Sequence, residues 1–246
     1  MKRFFAIISL LLLSAVAVAQ NDYKEADLYF QPEQMPNMKE FLPGPPAEGS
    51  VAFEYDLAVY EQGKQIRVTD AKAAAAAQAQ SDSGVKNLCK QFSQAFGMEL
   101  SEERTPQIYL LMRDGVITCV KSVIEPKEYY HRTRPFAYHK EGTLMPDSEG
   151  MLHQNGSFPS GHTLRGWAMA LLLLEINPDR AEELLTLGYQ YGYSRVISGY
   201  HWQSDVDASR LVAAAAVAKL HTSERFLKQM KRAKREYKRL SAKAGK

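Results

Sequence analysis

Gly156-Ser157-Phe158-Pro159-Ser160-Gly161-His162-Thr163, continued without a break by Leu-Arg-Gly-Trp-Ala-Met-Ala-Leu-Leu-Leu-Leu-Glu-Ile to Ile176, is the stretch from which the fold can be read. Its second part is apolar around most of its circumference, so it predicts a central helix buried on most sides, which needs other helices packed around it. Its first part supplies the start of that helix. Ser160 is suited to cap it, Pro159 to hold the entering backbone extended, and Gly161 to let the backbone approach closely. A helix that begins here aims unpaired N–H groups and the positive end of its dipole at whatever lies in front, which favours an oxyanion. His162 stands beside that anion.

Working toward the C-terminus, Asn177-Pro178 stops this helix and starts another, from Asp179 to about Arg195. Ser198 and Gly199 make a break, and His201 to Leu220 continues as an apolar helix with Ala213 to Ala216 inside it. Working toward the N-terminus, Phe136 to Ser157 reads as a long polar loop, of a length that usually serves function. It is placed to shape the mouth of a site, with Tyr129 and Tyr130 as candidate lining. Pro126 interrupts or restarts the helix carrying Lys127 to Arg134, which Arg134-Pro135 ends, because a residue before proline avoids the helical region. Earlier helices are expected over Pro106 to about Ile124, Val85 to Phe96, the alanine block Ala73 to Ala77 capped by Thr69 or Asp70, and Ser50 to Gln65 with Phe53, Leu57 and Tyr60 on one face. No strand pattern and no repeat intervenes. The expected architecture is all-α: a single helical-bundle domain over 50–246, preceded by an irregular arm over 20–49 rich in proline.

Residues 1–19 read as a secretory signal, with Lys2 and Arg3 at the charged start, Phe4 to Leu13 as the apolar run and Ala17-Val18-Ala19 as the cleavage site. An exported protein of the periplasm follows, with no integral membrane segment after cleavage. The formal net charge is +3, from 31 Lys and Arg against 28 Asp and Glu. Much of the positive charge is local, since the chain from Ser223 onward carries ten Lys or Arg against Glu224 and Glu236. This basic C-terminal helix reads as a solvated face rather than a contact for lipid or nucleic acid, because no aromatic platform is interleaved with it. Cys89 and Cys119 each fall on an apolar helical stripe, and both buried thiols and a disulfide stay open.

Three blocks carry chemistry. Lys127 and Arg134 are seven residues apart, close to two helical turns, so on one helix both cations would share a face and converge on one anion. The second block is the Pro159-Ser160-Gly161-His162 cradle. The third is Ser194-Arg195, His201 and Asp205. A carboxylate four residues after a histidine can hold one imidazole nitrogen and leave the other free as a nucleophile. Arg195 adds a third cation. Three buried cations without an anion are costly, and a phosphate is their natural partner. Zinc is the rival use of histidines, but His162 and His201 lack a third ligand of matching spacing.

The pattern Lys, six residues, Arg-Pro; Pro-Ser-Gly-His; Ser-Arg, five residues, His, three residues, Asp resembles the signature of the acid phosphatase and vanadium haloperoxidase superfamily. Within it, Gly156 to Thr163 resembles the bacterial class A non-specific acid phosphatases, with Phe158 where tyrosine is more usual. The likeness extends through Tyr60-Glu61-Gln62-Gly63, Glu175-Ile176-Asn177-Pro178 and Ser194 to Asp207. It implies that Lys127, Arg134, Ser160, Gly161 and Arg195 bind the phosphoryl oxygens. His201 would attack phosphorus, Asp205 orient its imidazole, and His162 protonate the leaving alcohol and then activate water. No metal or cofactor is implied. The partners are small phosphomonoesters and not nucleic acid, and a homo-oligomer is left open. Pro126 and Ser198, the latter where relatives often carry cysteine, depart from the pattern. A vanadate-dependent haloperoxidase and a non-catalytic phosphate-binding protein are the alternative readings.

Overall fold

The computed structural model describes residues 26–244, and the expected signal over 1–19 lies outside the described residues. Among the described residues there are twelve α-helices and no strand, so the all-α reading holds. The arm contributes α1 (Met38–Phe41). This part of the arm reaches inward. Met35 and Met38 are buried in the main core, where flexible thioethers fill the space between helices.

Helix starts follow local chemistry. α2 (Val51–Thr69) is capped by Ser50, whose Oγ accepts from the Phe53 amide at 3.2 Å. α3 (Ala71–Ala79) is capped by Asp70 rather than Thr69, with Oδ1 accepting from the Lys72 and Ala73 amides at 3.0 and 2.9 Å. α4 (Val85–Phe96) ends at Gly97 with φ +81°, a left-handed conformation that favours glycine. α5 (Pro106–Val120) takes proline in its first turn, and Glu236 accepts from its Gln107 and Ile108 amides at 2.9 and 3.0 Å. A carboxylate from the far end of the chain thus sits on the positive end of that helix dipole.

The first correction concerns Lys127 and Arg134. α6 (Ile124–Tyr130) stops four residues short of Arg134, with His131 left-handed at φ 43°, and α7 (Pro135–His139) begins anew. The two cations therefore do not share a helix face. Pro135 forces Arg134 into extended backbone (φ −74°, ψ 152°), so the helix carrying Lys127 must end earlier. Pro126 lies in the first turn of α6, where its missing N–H leaves no bond unmade.

The expected loop over 136–157 contains most of α7 and all of α8 (Glu149–Leu152). It is tied down by Glu141, which accepts from Lys64 and Tyr60 at 2.6 and 3.1 Å, and by Tyr200, whose hydroxyl donates to the Met145 carbonyl at 2.8 Å. α9 (Gly161–Ile176) is the central helix, capped by Ser160. Its Leu164, Ala168, Met169, Ala170, Leu172 and Leu173 are fully buried. α10 (Ala181–Ile197), α11 (Gln203–Leu220) and α5 pack around it.

Contact between α9 and α10 is the most extensive in the molecule and rests on glycine. A Cβ at Gly166 would stand 2.7 Å from the Tyr191 Cβ, and one at Gly188 2.7 Å from the Ala170 Cβ. α12 (Glu224–Ala244) lays Phe226, Met230 and Ala233 inward, while Lys228, Lys231, Arg232, Lys234, Arg235, Lys238 and Arg239 are exposed. Cys89 and Cys119 are both buried and are not joined by a disulfide. Among the described residues no helix is long and apolar enough to cross a membrane.

Candidate active site

The residues singled out from sequence come from five places in the chain. α6 brings Lys127, the extended link before α7 brings Arg134, the start of α9 brings Ser160, Gly161 and His162, and the end of α10 brings Arg195. His201 and Asp205 come from the approach to α11.

The second correction lies there. α11 begins at Gln203 with Trp202 as its N-cap, so His201 stands outside the helix and Asp205 is its third residue. The pair does not lie along a helix face. It straddles the helix start, where the Asp205 carboxylate is recruited by the N-terminal amides: Oδ2 accepts from the Trp202 amide at 2.9 Å and meets His201 Nδ1 at 3.2 Å. The geometry sought is obtained by another route. With Nδ1 directed at Asp205, Nε2 lies 3.2 Å from Arg134 Nη1 and can accept from it.

The cations lean on backbone carbonyls. Gly156 O accepts from Lys127 Nζ at 2.7 Å and from Arg134 Nη2 at 3.4 Å, while Arg134 Nη1 also donates to Tyr200 O at 3.1 Å. Glycine is required at 156, since a Cβ there would sit 2.5 Å from Lys127 O. Arg195 donates to Ala77 O at 2.9 Å and to Ser198 Oγ at 3.3 Å. Ser198 thus helps hold a cation of the site.

Ser160 Oγ accepts from the Thr163 amide at 3.3 Å, and Leu164 N donates to Ser160 O at 3.1 Å. The first two amides of α9, from Gly161 and His162, are left for an oxyanion. The space beside Gly161 is open, for a Cβ there would meet only Val123 Cγ2 at 3.9 Å. His162 Nε2 lies 2.8 Å from the Ser81 carbonyl and donates to it when protonated there.

Electrostatics join these groups into one site. Burial, then Arg134, brings the Lys127 ammonium down to about 7. Burial, then Arg134, Lys127 and Arg195, holds His201 well below the usual imidazole value. Burial, then Arg195, does the same to His162. Each cation is felt at a histidine, and among the described residues Asp205 is the carboxylate felt at Lys127 and Arg134, short of a full counter-charge. A phosphoryl group among them would supply it and would raise all three basic groups.

Sequence reasoning passed over Arg132. Its Nη1 donates to Asp205 Oδ1 at 2.6 Å and its Nη2 to Asp56 Oδ2 at 2.7 Å. A signal was present. Asp56 falls three residues after Phe53 and four before Tyr60, on the apolar face of α2, and a carboxylate on such a face needs a cation.

Among known proteins, residues 108–227 match the PAP2 superfamily. The chain is 40% identical over 237 residues to a non-specific acid phosphatase of Providencia stuartii, covering 96% of this chain and 95% of that protein. It is 38% identical to a non-specific acid phosphatase of Salmonella typhimurium, over 85% of this chain and 83% of the relative. An acid phosphatase of Zymomonas mobilis is 31% identical over 80% and 74% of the two chains. Together with the helical fold, the three cations and the His201 to Asp205 pair, these likenesses establish that the chain belongs to the PAP2 superfamily, among its non-specific acid phosphatases.

Proposed function

We propose that this acid phosphatase hydrolyses small phosphomonoesters of broad specificity through a phosphohistidine at His201, without a metal ion. The observation that carries the reading is the position of His201. Nδ1 is held by Asp205, and Nε2 faces the cluster of Arg134, Lys127 and Arg195.

In the first step the Nε2 lone pair attacks phosphorus, the P–O bond to the alcohol breaks, and His162 delivers a proton to the leaving oxygen. Since Nε2 of His162 is engaged with Ser81 O, Nδ1 is the nitrogen that carries this proton. In the second step a water gives its proton back to His162, attacks phosphorus and breaks the P–N bond, which frees His201. Arg134 turns from Nε2 to a phosphoryl oxygen. Lys127, Arg195, the Ser160 hydroxyl and the Gly161 amide stabilise the charge of in-line transfer. His162 must be protonated to act as the acid, and its basicity is depressed, so acidic solution should favour the reaction.

The test is hydrolysis of p-nitrophenyl phosphate in excess EDTA. The wild type should retain full activity there, vanadate should inhibit it, and bromide with peroxide should not be oxidised. His201→Ala should lower the rate at least about a hundredfold. Full activity in that variant would refute the role of His201, and phosphate binding without turnover in the wild type would favour a binding protein. We place the enzyme in the periplasm on the strength of residues 1–19, so sequencing the mature N-terminus should find Gln20 first.

A further inference from the structure

Next to the His201 to Asp205 pair, two buried carboxylates share one arginine. Arg132 Nη1 donates to Asp205 Oδ1 at 2.6 Å and to Ser204 Oγ at 2.7 Å, and Nη2 donates to Asp56 Oδ2 at 2.7 Å. Asp56 Oδ1 accepts from the Ser204 amide at 2.8 Å and Oδ2 from the Ser204 hydroxyl at 2.5 Å. The Asp56 and Asp205 side chains are 0% exposed and that of Arg132 8%. The guanidinium lies 5.4 Å from the Trp202 ring centroid, and Trp202 Nε1 donates to Thr133 O at 2.9 Å, so the link that carries Arg132 is itself pinned.

The stoichiometry is informative. A guanidinium facing Asp205 alone would neutralise it and draw its electron density away from His201, making it a poor partner for an imidazole that becomes positive as the P–N bond forms. With Asp56 on the other edge, the trio carries one net negative charge, and both oxygens of Asp205 have assigned partners: Oδ1 the arginine, Oδ2 the Trp202 amide and His201. Charge-assisted hydrogen bonds of this kind fix orientation as well as contribute energy.

We infer that Asp56 and Arg132 are positioning residues of the reaction. They hold the Asp205 carboxylate so that His201 keeps its proton on Nδ1 and presents Nε2 to phosphorus, and Asp56 restores to Asp205 the negative charge that stabilises the imidazolium. This inference rests on the phosphohistidine reading above.

The experiment follows phosphorylation of the full-length mature enzyme from labelled substrate. Quenching is in base, where phosphohistidine survives, and rates are normalised to the folded fraction. Asp56→Asn and Arg132→Met should lower kcat and the phosphorylation rate by roughly 10- to 100-fold, the range for partners that orient a reacting group. KM should stay within about threefold, because the side-chain bonds of Asp56 and Arg132 go to Asp205, Ser204 and each other and not to Lys127, Arg134 or Ser160. Arg132→Lys, which keeps the charge and one donor, should recover part of the loss. Ser204→Ala removes the hydroxyl shared by Asp56 and Arg132 without stranding a charge, so it stays folded and should lose about two- to fivefold in kcat.

A strut that only braces the fold would lower the melting temperature and leave the normalised kcat at the wild-type value, and that result overturns the inference. Equal changes in KM and kcat/KM with kcat unmoved overturn it as well. If the wild type itself forms no phosphohistidine at position 201, the underlying mechanism fails instead, whatever the variants do.

Discussion

Replacing Lys127 with methionine should make the ligand-free protein more stable and less able to bind phosphate. The ammonium is brought from its ordinary 10.5 to about 7, by burial first and then by Arg134. That is about 3.5 tenfold steps, or roughly 5 kcal/mol of penalty at 1.36 kcal/mol each, for keeping the charge in the fold. The folded value is the lower one, so the penalty is fully present below about pH 7 and fades as the pH rises toward 10.5.

Methionine keeps the stem and removes the charge, but strands the Gly156 and Ser157 carbonyls that Nζ contacts at 2.7 and 3.4 Å. Their loss costs about 1–3 kcal/mol. The net expectation at pH 6 is a gain of about 2–4 kcal/mol, a rise in Tm of at least about 4 °C. Phosphate at a hundred times its Kd should add about 2.7 kcal/mol to the wild type. The same phosphate concentration should add far less to the variant. Urea and thermal melts at pH 6 and pH 9, with and without phosphate, read all of this. A variant that melts below the wild type at pH 6, or that gains as much from phosphate, would refute the claim that the site is a cation cluster held open for an anion.

His162 and His201 both sit below the usual imidazole value of 6.5, so the unfolded chain binds more protons than the ligand-free fold, and stability should fall as the pH drops below 6.5. Sulfate, which does not titrate in this range, should be bound with net proton uptake at pH 6. Calorimetry in two buffers of different ionisation enthalpy measures it, and proton release would contradict the assignment. Gly166→Ala places a Cβ 2.7 Å from the Tyr191 Cβ and should destabilise by about 2 kcal/mol. It should also lower activity, because the Tyr191 hydroxyl donates to Asp82 O, next to the Ser81 carbonyl that holds His162. An unaltered melting curve would show that α9 and α10 are looser than described. Cys89 and Cys119 should resist a thiol reagent in the native state and react together on unfolding, whereas a disulfide would leave neither thiol to react.

The start of α9 was legible because capping is local: Ser160 meets the Thr163 amide three residues on, and the apolar run behind it dictates burial. The same holds for α4, bounded by Gly84 and Gly97, and for α2 behind Ser50. Residue spacing misleads where a helix stops short of the pattern. Lys127 and Arg134 looked like neighbours on one helix, and the proline that ends a helix proved to start the next one instead. His201 and Asp205 looked like partners along a helix face, although the carboxylate is taken up by the amides at the beginning of α11. In both cases the side chains still meet, Lys127 and Arg134 at the Gly156 carbonyl and His201 with Asp205 at 3.2 Å, through a different backbone.

What the sequence by itself determined is therefore the inventory: a serine-capped helix start, three cations, two histidines and a carboxylate, and an all-helical chain to carry them. Periodicity, capping and proline act within a few residues, so they can be read from a few residues. The tertiary structure alone decided which groups meet. It set Arg134 against Nε2 of His201, closed Ser81 over His162, and brought Asp56 from α2 through Arg132 to the far oxygen of Asp205. Those contacts depend on how closely α9, α10 and α11 can pack, which glycines at 166 and 188 permit, and on the requirement that every buried charge find a partner. Neither is a property of any one stretch of chain.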